Sequence, residues 1–448
     1  MNIIKKLLSS KYLKIFSLKT LGSIISLSIS IGVLRLVSPN VYGEYLIIIS
    51  AINLGLVFNF SNITFPLAFE NNQYVNKKVI RFSVYGFLSS LILFTIISSN
   101  SFSYFSNTTI IVAFVLLIIK NTRLLSEGIF LKYFEPQTFI KVNLILLTSS
   151  KSLYFLLLFD FLNPINIFLA SEVLYEALFG IYVFYKSKSK IKFSDSDINQ
   201  NIERQGLLLW LGDGFEKISS NLMPHIVAGS LGLPSLGFWN RVTQLGGSTY
   251  QIASDSYLFA EMGEIKKSPL AISIRLINLL TLFLLINPNA LLTFLGGSDW
   301  DIVNNIFYFL ITSLYMFYLS SILVDNYCVA NEKLKEKTAS NFVFLLISLF
   351  LLFVSDISNL ETLSRIFIYS NFAKIITCFI LCKNNDKNFS YNLEKNDFIS
   401  FSTFLLLVLF VYFIFQQSLI GQTLHFIFVI LIFLLLIKDF VESFKQIF

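Results

Sequence analysis

The sequence predicts an all-α polytopic membrane protein, and three observations support that fold class. Hydrophobic residues make up 55% of the 448 residues and charged residues only 14%, whereas soluble domains carry about 25% charged residues. The mean hydropathy is +0.71. Apolar runs of about 20 residues, long enough to cross a bilayer as helices, recur along the chain. Continuous runs such as "FVFLLISLFLLFV" lack the alternation of a membrane β-barrel.

About fourteen transmembrane helices are predicted, arranged as two six-helix lobes and an additional C-terminal helix pair. The predicted spans are 15–37, 42–67, 80–101, 108–131, 137–159, 164–186, 205–230, 234–262, 270–295, 301–330, 335–356, 360–383, 397–418 and 422–440. The polar stretch "KSKSKIKFSDSDINQNIERQ" divides the lobes and is typical of a flexible connection. The predicted domains are therefore an N-terminal lobe (1–190), a cytoplasmic linker (191–204), a C-terminal lobe (205–383) and the helix pair (384–448).

The distribution of basic residues predicts the orientation. Most of the 34 Lys and Arg lie in the N-terminal segment and in every second gap between spans, while the alternate gaps carry residues such as Asp160, Asp299 and Asp356. Cytoplasmic loops are enriched in Lys and Arg, so both termini are predicted to be cytoplasmic. This topology accounts for the net charge of +7 without a nucleic-acid partner. The first apolar run is too long for a cleaved signal peptide and is interpreted as a retained span.

An internal repeat is indicated by two similar phrases, "LRLVSPNVYGEYLI" from residue 34 and "LGLPSLGFWNRV" from residue 231. A shift of 194 positions places Gly43 on Gly237 and Tyr45 on Trp239, and it also pairs Phe65 with Phe259. Secondary transporters are commonly built from repeated bundles with the cargo site between them.

Four basic residues lie deep inside predicted spans: Lys120, Arg123, Lys151 and Lys217. Each charge at mid-bilayer depth costs roughly 2.5 to 3.5 kcal/mol, so these side chains must face protein or water. Basic side chains in such a place attract phosphate. Lys141, Arg275 and Arg365 lie near span ends and can reach the interface. Lys374 is expected to do the same with more strain.

Two interpretations of the deep charges stay open. The first is internal ion pairing, with Glu127, Asp213, Glu216, Glu172 and Glu176 as the charge partners. Arg123 has Glu127 at i+4, and Lys217 has Asp213 at i−4. Glu172 and Glu176 share a face of the sixth span, and either could form an ion pair with Lys151 or Lys120. The second is a polar, hydrated cavity between the lobes. It explains the basic residues of both halves together.

Arg35 and Arg241 flank the repeated outer turn. The favoured interpretation is that they are interfacial anchors. The alternative is that they contact the cargo in an outer vestibule.

Other residue types point away from catalysis and metal binding. Cys328, Cys378 and Cys382 all fall inside predicted spans and are interpreted as small buried hydrophobes. The two histidines, His225 and His425, are far apart in sequence. No phosphate-binding GxxxxGK[ST] loop occurs, so no ATP site and no cofactor are expected. No catalytic set is evident, and the short outer loops argue against an enzyme.

The quoted phrases resemble a known family. "LRLVSPNVYGEYLIIISAINLGLVFNFSNITFPLAF" is similar to the first outer turn and second span of polysaccharide-unit flippases. These are the Wzx-like members of the multidrug/oligosaccharidyl-lipid/polysaccharide (MOP) exporter superfamily. "LGLPSLGFWNRVTQL" looks like its counterpart at the eighth span.

The resemblance implies alternating access by two lobes in a bacterial cytoplasmic (inner) membrane. It implies a cargo of undecaprenyl-diphosphate-linked oligosaccharide, the repeat unit of an O-antigen or capsule, flipped to the outer leaflet. Membrane lipid, a polysaccharide polymerase and a chain-length regulator would be partners. Lys120, Arg123, Lys151 and Lys217 are the candidates to hold the diphosphate. Asp213, Glu216 and Glu127 would couple the cycle to a proton or sodium gradient.

Two other functions fit the sequence less well than the flippase. A MATE-type drug/cation antiporter of the same superfamily needs an acidic cavity, whereas the deep charges here include four basic residues. A membrane polysaccharide polymerase or ligase needs a large outer loop, which the sequence lacks.

Overall fold

The computed structural model describes residues 36–59, 75–101, 105–133, 136–159, 162–187, 193–194, 200–243, 269–286 and 304–385, with single positions between 18 and 33 and at 247 and 250. These residues form helices, apart from two strands of two residues each. The helical class of the prediction is thereby confirmed. The count of fourteen spans and the cytoplasmic side of both termini stay predictions, because 397–418, 422–440 and most of 15–37 lie outside the described residues.

The helices before residue 232 follow the predicted spans closely. They are α1 (Pro39–Gly55), α2 (Lys77–Ser101), α3 (Asn107–Tyr133), α4 (Pro136–Lys151), α5 (Pro164–Ser187) and α6 (Gln200–Leu231). Short 3₁₀ turns continue α1 over Leu56–Phe58 and α4 over Ser152–Leu158. The strands β1 (Val75–Asn76) and β2 (Phe193–Ser194) pair in parallel, with Val75 opposite Phe193.

The helices after residue 232 are α7 (233–243), α8 (Pro269–Ile286), α9 (Asn304–Ser320), α10 (Tyr327–Ala330), α11 (Leu334–Val354) and α12 (Leu360–Asn385). A π-helical turn, Ser321–Asn326, joins α9 to α10. The single span predicted over 301–330 is therefore a composite of two α-helices and a π turn.

Several helix starts have a local chemical cause. Ser38 caps α1 by accepting a hydrogen bond from the Val41 backbone N–H at 3.4 Å, and Pro39 follows in the first turn. Proline fits this position because its missing N–H would have no helical partner there. Helix α1 therefore begins before the predicted residue 42. The predicted end of that span, residue 67, lies outside the described residues.

The described residues group into two compact units. The first unit is Ser28–Phe238 with Asn341–Phe350. In it α3 packs on α5 and α1 packs on α6, around side chains such as Leu117, Leu169 and Phe179 that are 0% exposed. The second unit is Met1–Leu27, Trp239–Ser340 and Leu351–Phe448. Its described part is centred on the packing of α9 against α12.

Large apolar side chains also cover the outside of the helices. Phe353 is 91% exposed, Phe155 72% and Ile92 63%. Such surface is unstable in water but matches lipid chains. Five described stretches are long and apolar enough to cross a membrane, judged by length and composition: Lys141–Leu158, Pro164–Lys186, Phe309–Val329, Leu334–Val354 and Leu360–Asn385. The chain is a multi-pass helical membrane protein.

Two glycines bring α1 and α7 into backbone contact within the first unit. A Cβ at Gly43 would overlap the carbonyl oxygen of Leu233, and a Cβ at Gly237 would overlap the carbonyl oxygen of Pro39. The 194-residue shift that places Gly43 on Gly237 also places Pro39 on Leu233, so it exchanges the two contacts. The internal repeat stays a prediction, and this reciprocity is the observation that supports it.

Candidate functional site

Helix α3 places a basic residue at the middle of an apolar bundle. Lys120 lies about 20 Å from either end of α3, at 1.5 Å rise per residue. Its ammonium donates a hydrogen bond to the side-chain oxygen of Asn53 on α1, over 3.0 Å. That acceptor is a neutral amide. No carboxylate of the described residues forms an ion pair with Lys120, so among these residues its charge is met by the Asn53 dipole.

Helix α1 supplies a polar edge beside Lys120. Ser50 and Asn53 are spaced i and i+3, which places them on one face of α1. Ser50 Oγ lies 2.9 Å from Nε2 of His225 on α6. Pro224 precedes His225 inside α6, where a proline interrupts the backbone hydrogen bonding. The polar edge therefore faces both α3 and an interrupted stretch of α6.

The polar edge continues beyond the end of α1. Asn59 is 8% exposed and Asn121, next to Lys120 on α3, is 5% exposed. The Asn59 amide nitrogen donates to the Asn121 side-chain oxygen. Trp210 on α6 donates its indole N–H to the carbonyl oxygen of Val57 over 3.0 Å. These bonds satisfy groups that would be costly to leave unpaired in an apolar interior.

Arg123 lies one turn along α3 from Lys120 and is held by α5. Its Nε lies 3.3 Å from the Glu176 carboxylate, and the two side chains are 14% and 2% exposed. The guanidinium also lies 4.9 Å from the ring centroid of Phe179 and donates to the Tyr175 hydroxyl over 3.4 Å. The structure therefore pairs Arg123 with Glu176, whereas the sequence suggested Glu127. The Glu127 side chain lies outside what the structure describes.

Lys151 and Glu172 form a second charged neighbourhood in the first unit. Lys151 is half-buried at the end of α4, and the charge of Glu172 on α5 acts on it. The same carboxylate acts on Tyr45 and Tyr154. Of the two partners that the sequence suggested for Lys151, Glu172 is the one whose charge reaches it.

The remaining predicted site residues are placed differently. Lys217 is exposed on α6, and the described residues give it no ion pair with Asp213 or Glu216, which are half-buried. Arg241 is only 3% exposed, which does not fit an anchor at the membrane interface. Arg35 lies outside the described residues.

The second unit also contains a buried charge. The Lys374 ammonium lies 2.6 Å from the Asp325 carboxylate, and Lys374 is 1% exposed. The expectation that Lys374 reaches the interface is wrong, because an inter-helix carboxylate compensates its charge in the interior. Arg365 behaves as expected, since it is 51% exposed and pairs with Glu361 one turn away.

The neutral polar residues that surround Lys120 were not predicted from the sequence. Ser50, Asn53, Asn59, Asn121 and His225 carry no charge signal and were absorbed into apolar spans. The spacing of Ser50 and Asn53, which places both on one face of a strongly apolar helix, could have indicated a polar contact there.

Comparisons with known proteins place this fold. No protein-family model and no curated protein matches the sequence. Among solved structures, the chain is similar to the Lipid II flippase MurJ in an inward closed conformation, with a TM-score of 0.56 and 14% identity over 96% of this chain and 99% of that one. An inward-facing multidrug resistance MATE family transporter of the MOP superfamily has a TM-score of 0.52, with 11% identity over 85% and 100% of the two chains. The MATE multidrug transporter DinF-BH has a TM-score of 0.50, with 14% identity over 86% and 96%. This chain has the fold of these transporters.

Proposed function

We propose that the protein is a flippase for an isoprenoid-diphosphate-linked oligosaccharide. In this proposal it moves the cargo from the cytoplasmic to the outer leaflet of the bacterial inner membrane by alternating access. The fold supports a transporter of this kind, since it is shared with a protein named as the Lipid II flippase. The charges of the first unit support an anionic cargo.

The observation on which the proposal depends is the imbalance between deep basic and acidic side chains. The described carboxylates that are buried are Glu176 and Asp325, and each forms an ion pair with a basic residue. Among the residues that the structure describes, the hydrogen-bond partner of Lys120 is the neutral Asn53 amide. In the first unit the buried carboxylate, Glu176, is paired with Arg123, whereas Lys120 has a neutral partner and can offer its positive charge to a ligand.

The diphosphate is the part of the cargo that needs this charge. Transfer of an isolated ionised group into an apolar medium is prohibitive, while the isoprenoid chain is soluble in the bilayer. Lys120 would bind a phosphate oxygen as a point charge, and the Asn53 amide would hold the ammonium in position when no cargo is bound. Lys217 would serve as a second cation on α6.

In the proposal, Arg123 and Lys151 bind phosphate only after a neighbouring carboxylate has lost its charge. Glu176 holds Arg123, and Glu172 acts on Lys151, so either carboxylate would have to lose its charge before its partner could bind phosphate. Protonation or sodium binding does this, which would couple the cycle to an ion gradient. Asp213 and Glu216 lie close to Lys217 in the sequence of α6, and in the proposal they bind the coupling ion without an ion pair to Lys217.

The alternative function is drug/cation antiport. The likeness to two MATE transporters is the observation that favours it. An organic cation requires a carboxylate that is available to it, and the pairing of Glu176 and Asp325 speaks against one at either place. A polysaccharide polymerase or ligase stays the less favoured third candidate, because no observation of the structure points to one.

Cargo binding tests the proposal directly. Undecaprenyl diphosphate is titrated onto the purified chain in detergent, and the complex is quantified by native mass spectrometry. Lys120→Gln should weaken binding about tenfold or more, since a lost charge-assisted contact contributes more than about 1.4 kcal/mol. Lys120→Arg keeps the charge and should retain most of the affinity.

Lys141→Gln is the matched control, because Lys141 is an exposed lysine of α4. It should leave the affinity unchanged. If Lys120→Gln binds as tightly as the unaltered chain and remains monodisperse, the proposed diphosphate site is wrong. In cells, loss of surface polysaccharide on Lys120→Ala and Lys217→Ala supports the flippase. Altered drug sensitivity with normal polysaccharide supports the antiporter.

A further inference from the structure

Three cysteines from distant parts of the sequence meet in the second unit. Cys328 lies on α10, and Cys378 and Cys382 lie one turn apart on α12. The Sγ atoms of Cys328 and Cys378 are 3.5 Å apart, and those of Cys378 and Cys382 are 3.9 Å apart. All three sulfurs lie within 4.8 Å of one another. Each of the three residues is 0% exposed.

We propose that this cysteine cluster binds a single soft metal ion, Cu(I), through three thiolates. Three sulfurs bound to one metal at about 2.3 Å lie about 3.8 to 4.0 Å from each other. The two nearest pairs in the cluster are already close to that spacing, so binding requires only small side-chain rotations. All the cysteines of the chain are gathered in this one place.

The ligand set selects the metal. Thiolates are soft ligands that prefer Cu(I), zinc and iron–sulfur clusters. Structural zinc sites are almost always four-coordinate, and the cluster consists of three sulfurs without a fourth Cys, His, Asp or Glu among the described residues. Cu(I) accepts three thiolates arranged in a plane around it, and the cluster provides three sulfurs.

The cluster lies near the ends of two helices. Cys328 is two residues from the end of α10, and Cys382 is three residues from the end of α12. Beyond them lie the exposed polar residues Asn331 and Lys383. Lys333 donates its backbone N–H to the Cys328 carbonyl oxygen over 2.8 Å, so a basic residue adjoins the cluster.

The predicted topology places this end of the helices on the cytoplasmic side, where thiols stay reduced. A disulfide is not formed in this arrangement, because its S–S distance would be about 2.05 Å. Bound Cu(I) would connect α10 to α12. This inference is independent of the proposed cargo.

Metal transfer from a chelator tests the site. The full chain, purified in detergent without oxygen, is mixed with the Cu(I) complex of bathocuproine disulfonate, and the loss of the coloured complex is followed. The chain should take up one Cu(I), and X-ray absorption should show sulfur ligands only, at about 2.3 Å. Cys378→Ser should abolish the uptake, because Cys378 contacts both other sulfurs.

Met223→Leu is the matched control, since it removes a buried sulfur in the first unit and should leave the uptake at one equivalent. Cys382→Ser repeats the test if Cys378→Ser is not monodisperse on size exclusion. Unchanged uptake in both cysteine variants, no uptake by the unaltered chain, or a Cys328–Cys378 disulfide in the chain as isolated would each overturn the proposal.

Discussion

The Lys374–Asp325 ion pair is the most deeply buried pair of charges among the described residues. Its atoms are 2.6 Å apart and Lys374 is 1% exposed. At such a place the mutual attraction mainly offsets the cost of removing both charges from water. Loss of one partner should therefore be far more harmful than loss of both.

Lys374→Met should lower the free energy of unfolding by about 3 to 5 kcal/mol, because it leaves Asp325 charged and buried. The double variant Lys374→Met/Asp325→Leu should recover most of the loss. The thermal midpoint in detergent, followed by size exclusion of the heated protein, measures both effects.

The Arg365–Glu361 pair is the control. Arg365 is 51% exposed, and exposed pairs contribute about 0 to 1 kcal/mol. Arg365→Met should therefore shift the midpoint little. Equal shifts for Lys374→Met and Arg365→Met would show that burial of the Lys374 pair is not what stabilises it.

The same residues show how far the site could be predicted. The sequence located Lys120 and Arg123, because a charge in an apolar span is conspicuous. It named Glu176 as a charge partner, but for Lys151 or Lys120 and not for Arg123, and it did not find Asn53. Periodicity pairs residues only within one helix, so Glu127 was suggested for Arg123, while Glu176 comes from another helix and depends on tertiary packing.

At the scale of the element, the crossing of α1 and α7 depends on the absence of two side chains. Gly43 and Gly237 each face a backbone carbonyl of the opposing helix. Small residues allow helix backbones to approach closely in membranes, where packing rather than the hydrophobic effect drives association.

Gly43→Ala and Gly237→Ala should each destabilise the protein by about 1 to 3 kcal/mol, the usual cost of inserting a methyl group into a packed interior. The thermal midpoint in detergent measures the loss.

Gly180→Ala is the control for the glycine variants, since a Cβ there meets nothing within 4 Å and alanine favours the helix. It should be neutral or stabilising. A neutral result for Gly237→Ala would mean that the two backbones do not touch in solution.

Helix existence and most helix starts were predictable. Prolines mark the starts of α4, α5 and α8, close to the predicted residues 137, 164 and 270. The 3₁₀ turn after α4 and the π turn after α9 were not predictable. Both are changes in backbone hydrogen bonding within an unbroken apolar run, to which hydropathy is insensitive.

At the scale of the whole molecule, the two ends of α11 give a test of the predicted orientation in the membrane. Helix α11 has 21 residues and is about 31 Å long, which spans the hydrocarbon core. Its flanking residues Asn331 and Asp356, both exposed, are therefore expected on opposite sides. The predicted topology places Asn331 in the cytoplasm.

A cysteine introduced as Asp356→Cys should react with a membrane-impermeant maleimide added to intact cells. One introduced as Asn331→Cys should react only after the membrane is opened. The native cysteines are 0% exposed and give little background, which the unaltered chain measures. Reaction of Asn331→Cys in intact cells would reverse the predicted topology.

Composition and the continuous apolar runs were enough to predict the fold class, since 14% charged residues cannot solvate a chain of this length and such runs are typical of membrane helices. The likeness to the Lipid II flippase at 14% identity agrees with this, because a helical membrane fold is maintained by the distribution of apolar residues more than by their identities. The positions of neutral polar groups such as Asn53 follow from the packing of specific helices and are not encoded in that distribution.

The π turn at Ser321–Asn326 adds one residue to a helical ladder, so it rotates everything after it by about 100° relative to an uninterrupted α-helix. This offset determines the direction in which Asp325 and Cys328 point around the helix axis. A chain shortened by one residue there would turn a carboxylate and a sulfur away from α12 in a single step. The inserted residue thus determines both the Asp325–Lys374 ion pair and the Cys328–Cys378 contact.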